Sequence, residues 1–145
     1  MGSNSAARKL CILSMNFTLD PRLAADTIHV SNLAACELLI MNDSRYPWAI
    51  LVPRIEDARE LHDLHGDDGA KVYAEIMIIA RAIGTWPGVE KVNIGALGNI
   101  VSQLHIHIIG RHADDPAWPR PVWGHSARVA YKNGEEAEFV KYLRA

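Results

Sequence analysis

Hydrophobic positions change their period several times along the chain, and each change marks an element. Residues 26–30 (DTIHV) and 37–41 (ELLIM) carry β-branched and large apolar side chains, with Ser31-Asn32 as a turn between them. Asn42-Asp43-Ser44 breaks the run, and YPWAILVP, Tyr46 to Pro53, reads as a third strand. Ile55 to Glu60 is mixed, either loop or the start of a helix. The clearest helix follows. Gly66-Asp67-Asp68 offers an N-cap and puts acidic charge at the positive end of the helix dipole. Val72, Ile76, Ile79 and Ile83 then recur at helical spacing, while Lys71, Glu75 and Arg81 fall elsewhere. Gly84 stops the helix and Trp86-Pro87-Gly88 is a turn. Lys91 to Gly95 and Ser102 to Arg111 form a hairpin bent at Gly98-Asn99. The segment DDPAWPRPVWG, 114–124, comes next, and Asn133 to Leu143 closes the chain as a short helix. About five strands and one long helix predict an α+β domain with a mainly antiparallel sheet.

Composition narrows the function classes. The chain has 145 residues, which predicts a single domain over 1–145. With 49% hydrophobic and 22% charged residues, it is not a disordered, collagen-like or coiled-coil sequence. Fifteen basic and 17 acidic residues leave a net charge of −2, and no lysine/arginine block stands out, so a nucleic-acid partner is not expected. No apolar run approaches the ~18 residues of a membrane helix, so no membrane partner is expected either. Arg8-Lys9 followed by LCILSM mimics a signal peptide. The run is short, Asn16 interrupts it, and no small-residue cleavage site follows. Residues 1–8 read as a disordered or added leader, Met1 to Ser5 above all. Cys11 and Cys36 form no C-x-x-C pair and read as thiols in a reducing compartment, which places the protein in the cytoplasm; Ala-flanked Cys36 is a core residue.

Chemistry concentrates in Gln103-Leu104-His105-Ile106-His107-Ile108-Ile109. Strand side chains alternate faces, so Leu104, Ile106 and Ile108 form a core face. Gln103, His105 and His107 line the other, at steps of roughly 6–7 Å. Three readings of this polar row compete. It is a solvated face, or half of a metal site, or a nucleophilic centre in which one imidazole attacks and the other handles protons or charge. The metal reading needs a third ligand from His62, His65, His112, His125, Asp114 or Asp115, and no motif supplies one.

The run QLHIHIIGR resembles the signature of the histidine triad family, in which three histidines alternate with apolar residues. That family consists of nucleotide hydrolases and transferases of α+β fold, often homodimers. LLIMNDSRYPWAILVPR resembles its strand–turn–strand, the long helix sits where the family has one, and the glycine-rich VNIGALGNIVS precedes the triad as it does there. WPRPVWG is similar to the tail of bacterial members. By this resemblance His105 takes the middle position, the nucleophile, and His107 the last, which contacts phosphate and helps the leaving group. Gln103 stands where most members have the first histidine, a supporting position. The chemistry agrees with the roles. Attack on phosphorus needs a neutral imidazole, and histidine's ordinary pKa near ~6.5 supplies one at pH 7. A carbonyl accepting the other ring N–H would fix the tautomer, and a protonated His107 would stabilise charge and protonate the departing oxygen.

The resemblance also implies a substrate pocket. Asn42 matches a strand-end asparagine that contacts the sugar, with a plain turn residue as the rival reading. Asn93 approximates a polar residue near the leaving group, one position out of register. Gly95 and Gly98 let backbone approach phosphate, and N–H groups from Gly98, Asn99, Ile100 and Val101 could cradle it. Ile100 departs from the hydroxyl or amide found in many relatives. Ile28 and Leu39 are purine-clamp candidates whose simpler fate is core. Arg111 is a candidate phosphate contact or a solvated strand end. Trp118 and Trp123 form a lid or a wall for the leaving group, or more simply pack against the domain or a second copy. His62, His65 and His125 have no motif around them and read as surface or capping residues. No cofactor is required, though a divalent cation could accompany the substrate. Met77 and Ile78 widen the helix's apolar stripe beyond one face, which fits a homodimer. The expected function is cleavage of a nucleoside phosphoanhydride or phosphoramidate through a nucleotidyl-histidine. A non-catalytic nucleotide-binding module and a metal-binding protein are the alternatives.

Overall fold

A computed structural model describes residues 17–145. The expectations for the leader, for Cys11 and for the LCILSM run fall outside the described residues. Helix α1 (Pro21–Asp26) opens the described chain, with Pro21 at its first turn and Asp20 as N-cap accepting from Arg22 N. Strands β1 (Thr27–Asn32), β2 (Cys36–Met41) and β3 (Trp48–Pro53) follow. A 3₁₀ turn (Leu61–Asp63) leads to helix α2 (Gly66–Gly84). Strands β4 (Lys91–Gly95) and β5 (Ile106–Arg111) and helix α3 (Ala137–Arg144) complete the order. The five strands make one antiparallel sheet in the order β1-β2-β3-β5-β4, an α+β architecture as expected.

Both sheet faces are covered. Val72, Ile76, Ile79 and Ile83 of α2 pack with Leu38, Ile40, Leu51, Ile106 and Ile108 on one face. Fully burying each such side chain contributes about 1.5–3 kcal/mol. Leu39, Trp48, Ile50 and Ile109 point to the other face, where Leu23 of α1 and Ala117 and Val122 of the proline-rich tail cover them. Gly110 lets the strand pass under its cover, because a Cβ there would lie 2.6 Å from Val89 and 2.7 Å from Pro47.

Several boundaries differ from the pattern, each for a local reason. Ser31 and Asn32 belong to β1, which absorbs a register shift between His29 and Ser31, and the turn moves to Leu33–Ala35. Glu75 lies on the buried side of α2, not its wet face. Its carboxylate accepts from Ala35 N and Cys36 N at 2.7 and 3.0 Å, so the helix caps the β1–β2 turn. His65, with no side-chain cap bond, precedes α2. Ser102 to His105 is not strand. Leu104 N donates instead to Ala58 O in the loop before α2, and β5 begins at Ile106. The C-terminal helix starts at Ala137 rather than Asn133. Among the described residues, no helix is long and apolar enough to cross a membrane.

Candidate active site

Residues 96–105 link β4 to β5 and bring His105 beside His107, with ring centroids 4.9 Å apart. Both rings are buried, and both line a cleft of about 310 Å³. Leu23, Thr27 and Met41 form its apolar wall, Leu97, Asn99, Ile100 and Val101 its loop side, and Trp123 its end. Arg22 spans the mouth, donating from Nη1 to Ile100 O at 3.0 Å and pairing with Asp20.

The two imidazoles are held in opposite ways. His105 Nδ1 lies 2.7 Å from Gln103 O. A carbonyl only accepts, so Nδ1 carries the proton and the neutral ring keeps its lone pair on Nε2. At His107 the partner is a donor. Trp48 Nε1–H donates to His107 Nδ1 at 2.9 Å, and an indole nitrogen can only donate. His107 Nδ1 therefore holds the lone pair, and its proton sits on Nε2. Burial above all, and repulsion from His105 whenever that ring is charged, lowers its pKa to about 3. The condition set for His107 as an acid, a protonated ring, is not the form this geometry favours. A second proton on Nδ1 would face the indole N–H.

The HIT domain family matches residues 22–114, more than half of the chain. The protein belongs to the histidine triad family. Similar solved structures agree. A histidine triad protein from Bradyrhizobium japonicum is 43% identical, with a TM-score of 0.85 over 88% of this chain and 96% of that one. One from Sinorhizobium meliloti is 42% identical, with a TM-score of 0.87 over 90% and 97%. One from Marinobacter aquaeolei is 40% identical, with a TM-score of 0.85 over 88% and 93%. No curated protein matches the chain. Histidine triad proteins are generally nucleotide-binding hydrolases or transferases, and some are non-catalytic.

Within this histidine triad site the other expected residues separate. Gln103 does not line the cleft. Its Oε1 accepts from Asp20 N at 2.8 Å and its Nε2 donates to Thr18 O at 2.9 Å, so it straps the segment before α1. Asn99, Ile100 and Val101 line the cleft, whereas Gly98 does not. Gly95 serves packing instead of phosphate: a Cβ there would come 2.8 Å from the Trp123 ring. Asn42 lies outside the cleft, and its Oδ1 accepts from Tyr131 N, which ties down the C-terminal segment. Asn93 Oδ1 accepts from Arg111 Nη1. Arg111 is neither a phosphate contact nor solvated. It is 1% exposed and paired with Asp115. Leu39 is core, and Ile28 packs on the α2 side. His62, His65 and His125 are exposed. Among the described residues no group of three His, Cys, Asp or Glu could hold a metal ion.

Two tryptophans, one lining the cleft and one behind it, take roles the sequence did not favour. Trp123 is a wall, its ring 5.5 Å from that of His107, while Trp118 lies over the Arg111 guanidinium. Trp48 is a partner of the triad, hidden in what reads as a plain apolar strand. The available signal is an indole heading that strand, since a buried Trp N–H needs an acceptor.

Proposed function

We propose that the protein cleaves a nucleoside phosphoanhydride or phosphoramidate through a nucleotidyl-His105 intermediate. The observation that carries this reading is the His105 Nδ1–Gln103 O bond, which leaves a lone pair on Nε2 of a buried ring that lines the cleft. The neutral imidazole attacks phosphorus, the leaving group departs, and water cleaves the adduct. His107 Nε2–H donates to a phosphoryl oxygen as negative charge develops there. The apolar wall of Leu23 and Met41 suits a base, and Arg22 at the mouth suits phosphate charge. A divalent cation can enter with the phosphates. In the same reading the protein works in the cytoplasm as a homodimer.

The test is incubation with an activated adenylate, quenched under conditions that preserve phosphoramidates. One nucleotidyl group on His105, lost in His105→Ala together with turnover, is the expected result. An adduct on His107 reverses the assignment. Bound nucleotide without adduct or turnover supports a non-catalytic binding module instead.

A further inference from the structure

We infer that Trp48 is a positioning residue that holds His107 as a neutral donor, and that this confines the protein to nucleotide substrates whose leaving group departs as an anion, phosphoanhydrides rather than phosphoramidates. The inference rests on the reading of His105 as nucleophile and narrows it.

The geometry leaves His107 one proton to offer, on Nε2, because Nδ1 is occupied by the Trp48 indole N–H at 2.9 Å. Giving that proton away would produce an imidazolate, which is not accessible near neutral pH. His107 can therefore polarise a phosphoryl oxygen but cannot deliver a proton. The depressed imidazole pKa agrees. Other groups around the ring do not replace it. His105 lies beside it, with Nδ1–H committed to the Gln103 carbonyl. Helix α1 presents Arg22 and Asp26, the first paired with Asp20 and the second with Arg128. From β3 and the tail the ring meets the indoles of Trp48 and Trp123, which are not acids in water. Among the described cleft residues there is no buried general acid.

Both half-reactions balance without one. The His105 Nε2 lone pair forms the N–P bond, and the P–O bond to the leaving group breaks with its electron pair on oxygen. That oxygen belongs to a phosphate or carboxylate, which is stable as an anion. Water then forms a new P–O bond, the N–P electron pair returns to Nε2, and the water's proton passes to solvent. A P–N bond broken the same way would put the electron pair on an unprotonated amine nitrogen. That step needs a proton which the described cleft residues do not supply.

The experiment compares AMP release from diadenosine triphosphate and from the adenosine 5′-phosphoramidate of a primary alkylamine. General acid catalysis is worth ~10²–10⁴-fold, so the wild type should favour the anhydride by at least about 10²-fold at neutral pH. Trp48→Phe frees His107 Nδ1 and, through the smaller phenyl ring, lets water reach an imidazole that burial keeps neutral. It should lower that preference by about tenfold or more and add a histidine limb to the pH–rate profile. Nitrogen NMR of the wild-type imidazoles should show His107 as the Nε2–H tautomer, unchanged between about pH 5 and pH 8. Comparable turnover of both substrates, with the His105 adduct intact, overturns this inference alone. A His107 that titrates in the wild type overturns it as well, whether or not Trp48→Phe folds. Absence of both AMP release and adduct overturns the nucleotidyl-histidine reading, and this inference falls with it.

Discussion

Arg111 and Asp115 form a two-point ion pair sealed from solvent at the end of β5, with Nε 2.7 Å from one carboxylate oxygen and Nη2 2.9 Å from the other. Asn93 and the Arg120 carbonyl take two further guanidinium N–H groups. Burial pushes the Asp115 carboxyl up, but Arg111 and the backbone N–H groups of His112 and Trp118 outweigh it and hold it below the usual range. Removing one partner of a buried pair costs about 3–5 kcal/mol. Asp115→Ala should therefore lower the melting temperature on the order of 10 °C. Activity per folded molecule should stay close to wild type. Selective loss of nucleotide affinity at unchanged melting temperature would return Arg111 to the substrate site.

His107 makes stability depend on acid. Its folded pKa, about 3, lies below the ordinary ~6.5 of an unfolded histidine. The stabilisation is complete above ~6.5 and falls as pH drops toward the folded value, because only the unfolded chain takes the proton. The loss approaches ~1.4 kcal/mol per pH unit in that window. Urea unfolding of wild type and His107→Gln at a series of pH values should show a flatter acid slope in the variant. Parallel slopes would contradict it.

Gln103 should be the mildest of the triad positions to lose. Its carboxamide holds two strap bonds, each worth about 0.5–1.5 kcal/mol net, and does not face the cleft. Gln103→Ala should slow single-turnover nucleotidyl transfer by about tenfold or less. His107→Ala should cost more, and His105→Ala should abolish transfer. Amide exchange at Asp20 should speed up in Gln103→Ala and not in His105→Ala. A Gln103→Ala protein as inactive as His105→Ala, with Asp20 still protected, would make the carboxamide catalytic.

A second copy should cover one side of the molecule. Tyr73, Met77 and Ile78 stand out from α2, and Ile94 from β4, all exposed apolar side chains. Among the described residues, strand β4 is also an edge of the sheet. Sedimentation at micromolar concentration should give twice the 16.1 kDa chain mass. Ile78→Glu should shift it to monomer, and a monomeric wild type at that concentration would rule the dimer out.

What the sequence made legible is what short-range periodicity encodes. Val72, Ile76, Ile79 and Ile83 announce α2, and Leu104, Ile106 and Ile108 announce a buried face. His107 follows from the same alternation, whereas His105 lies just before β5 and reaches the cleft from the loop. Long-range partnerships were not legible. Trp48 meets His107 across 59 residues, and Gln103 meets Asp20 across 83. Neither pairing leaves a trace in local spacing. Arg111 misled for a related reason: a charge at a strand end reads as solvated until Asp115, Asn93 and Arg120 are seen to enclose it.

The Glu75 cap on the β1–β2 turn has a consequence for thiol chemistry. Cys36 is fully buried beneath it, and burial, then the Glu75 carboxylate, pushes its thiol far above the usual range. A thiol kept protonated and covered does not react with alkylating reagents. It reacts only when the helix lifts from the turn. In a Cys11→Ser background, Cys36 is a built-in clock: its alkylation rate counts how often α2 and the β1–β2 turn part company, without any added label.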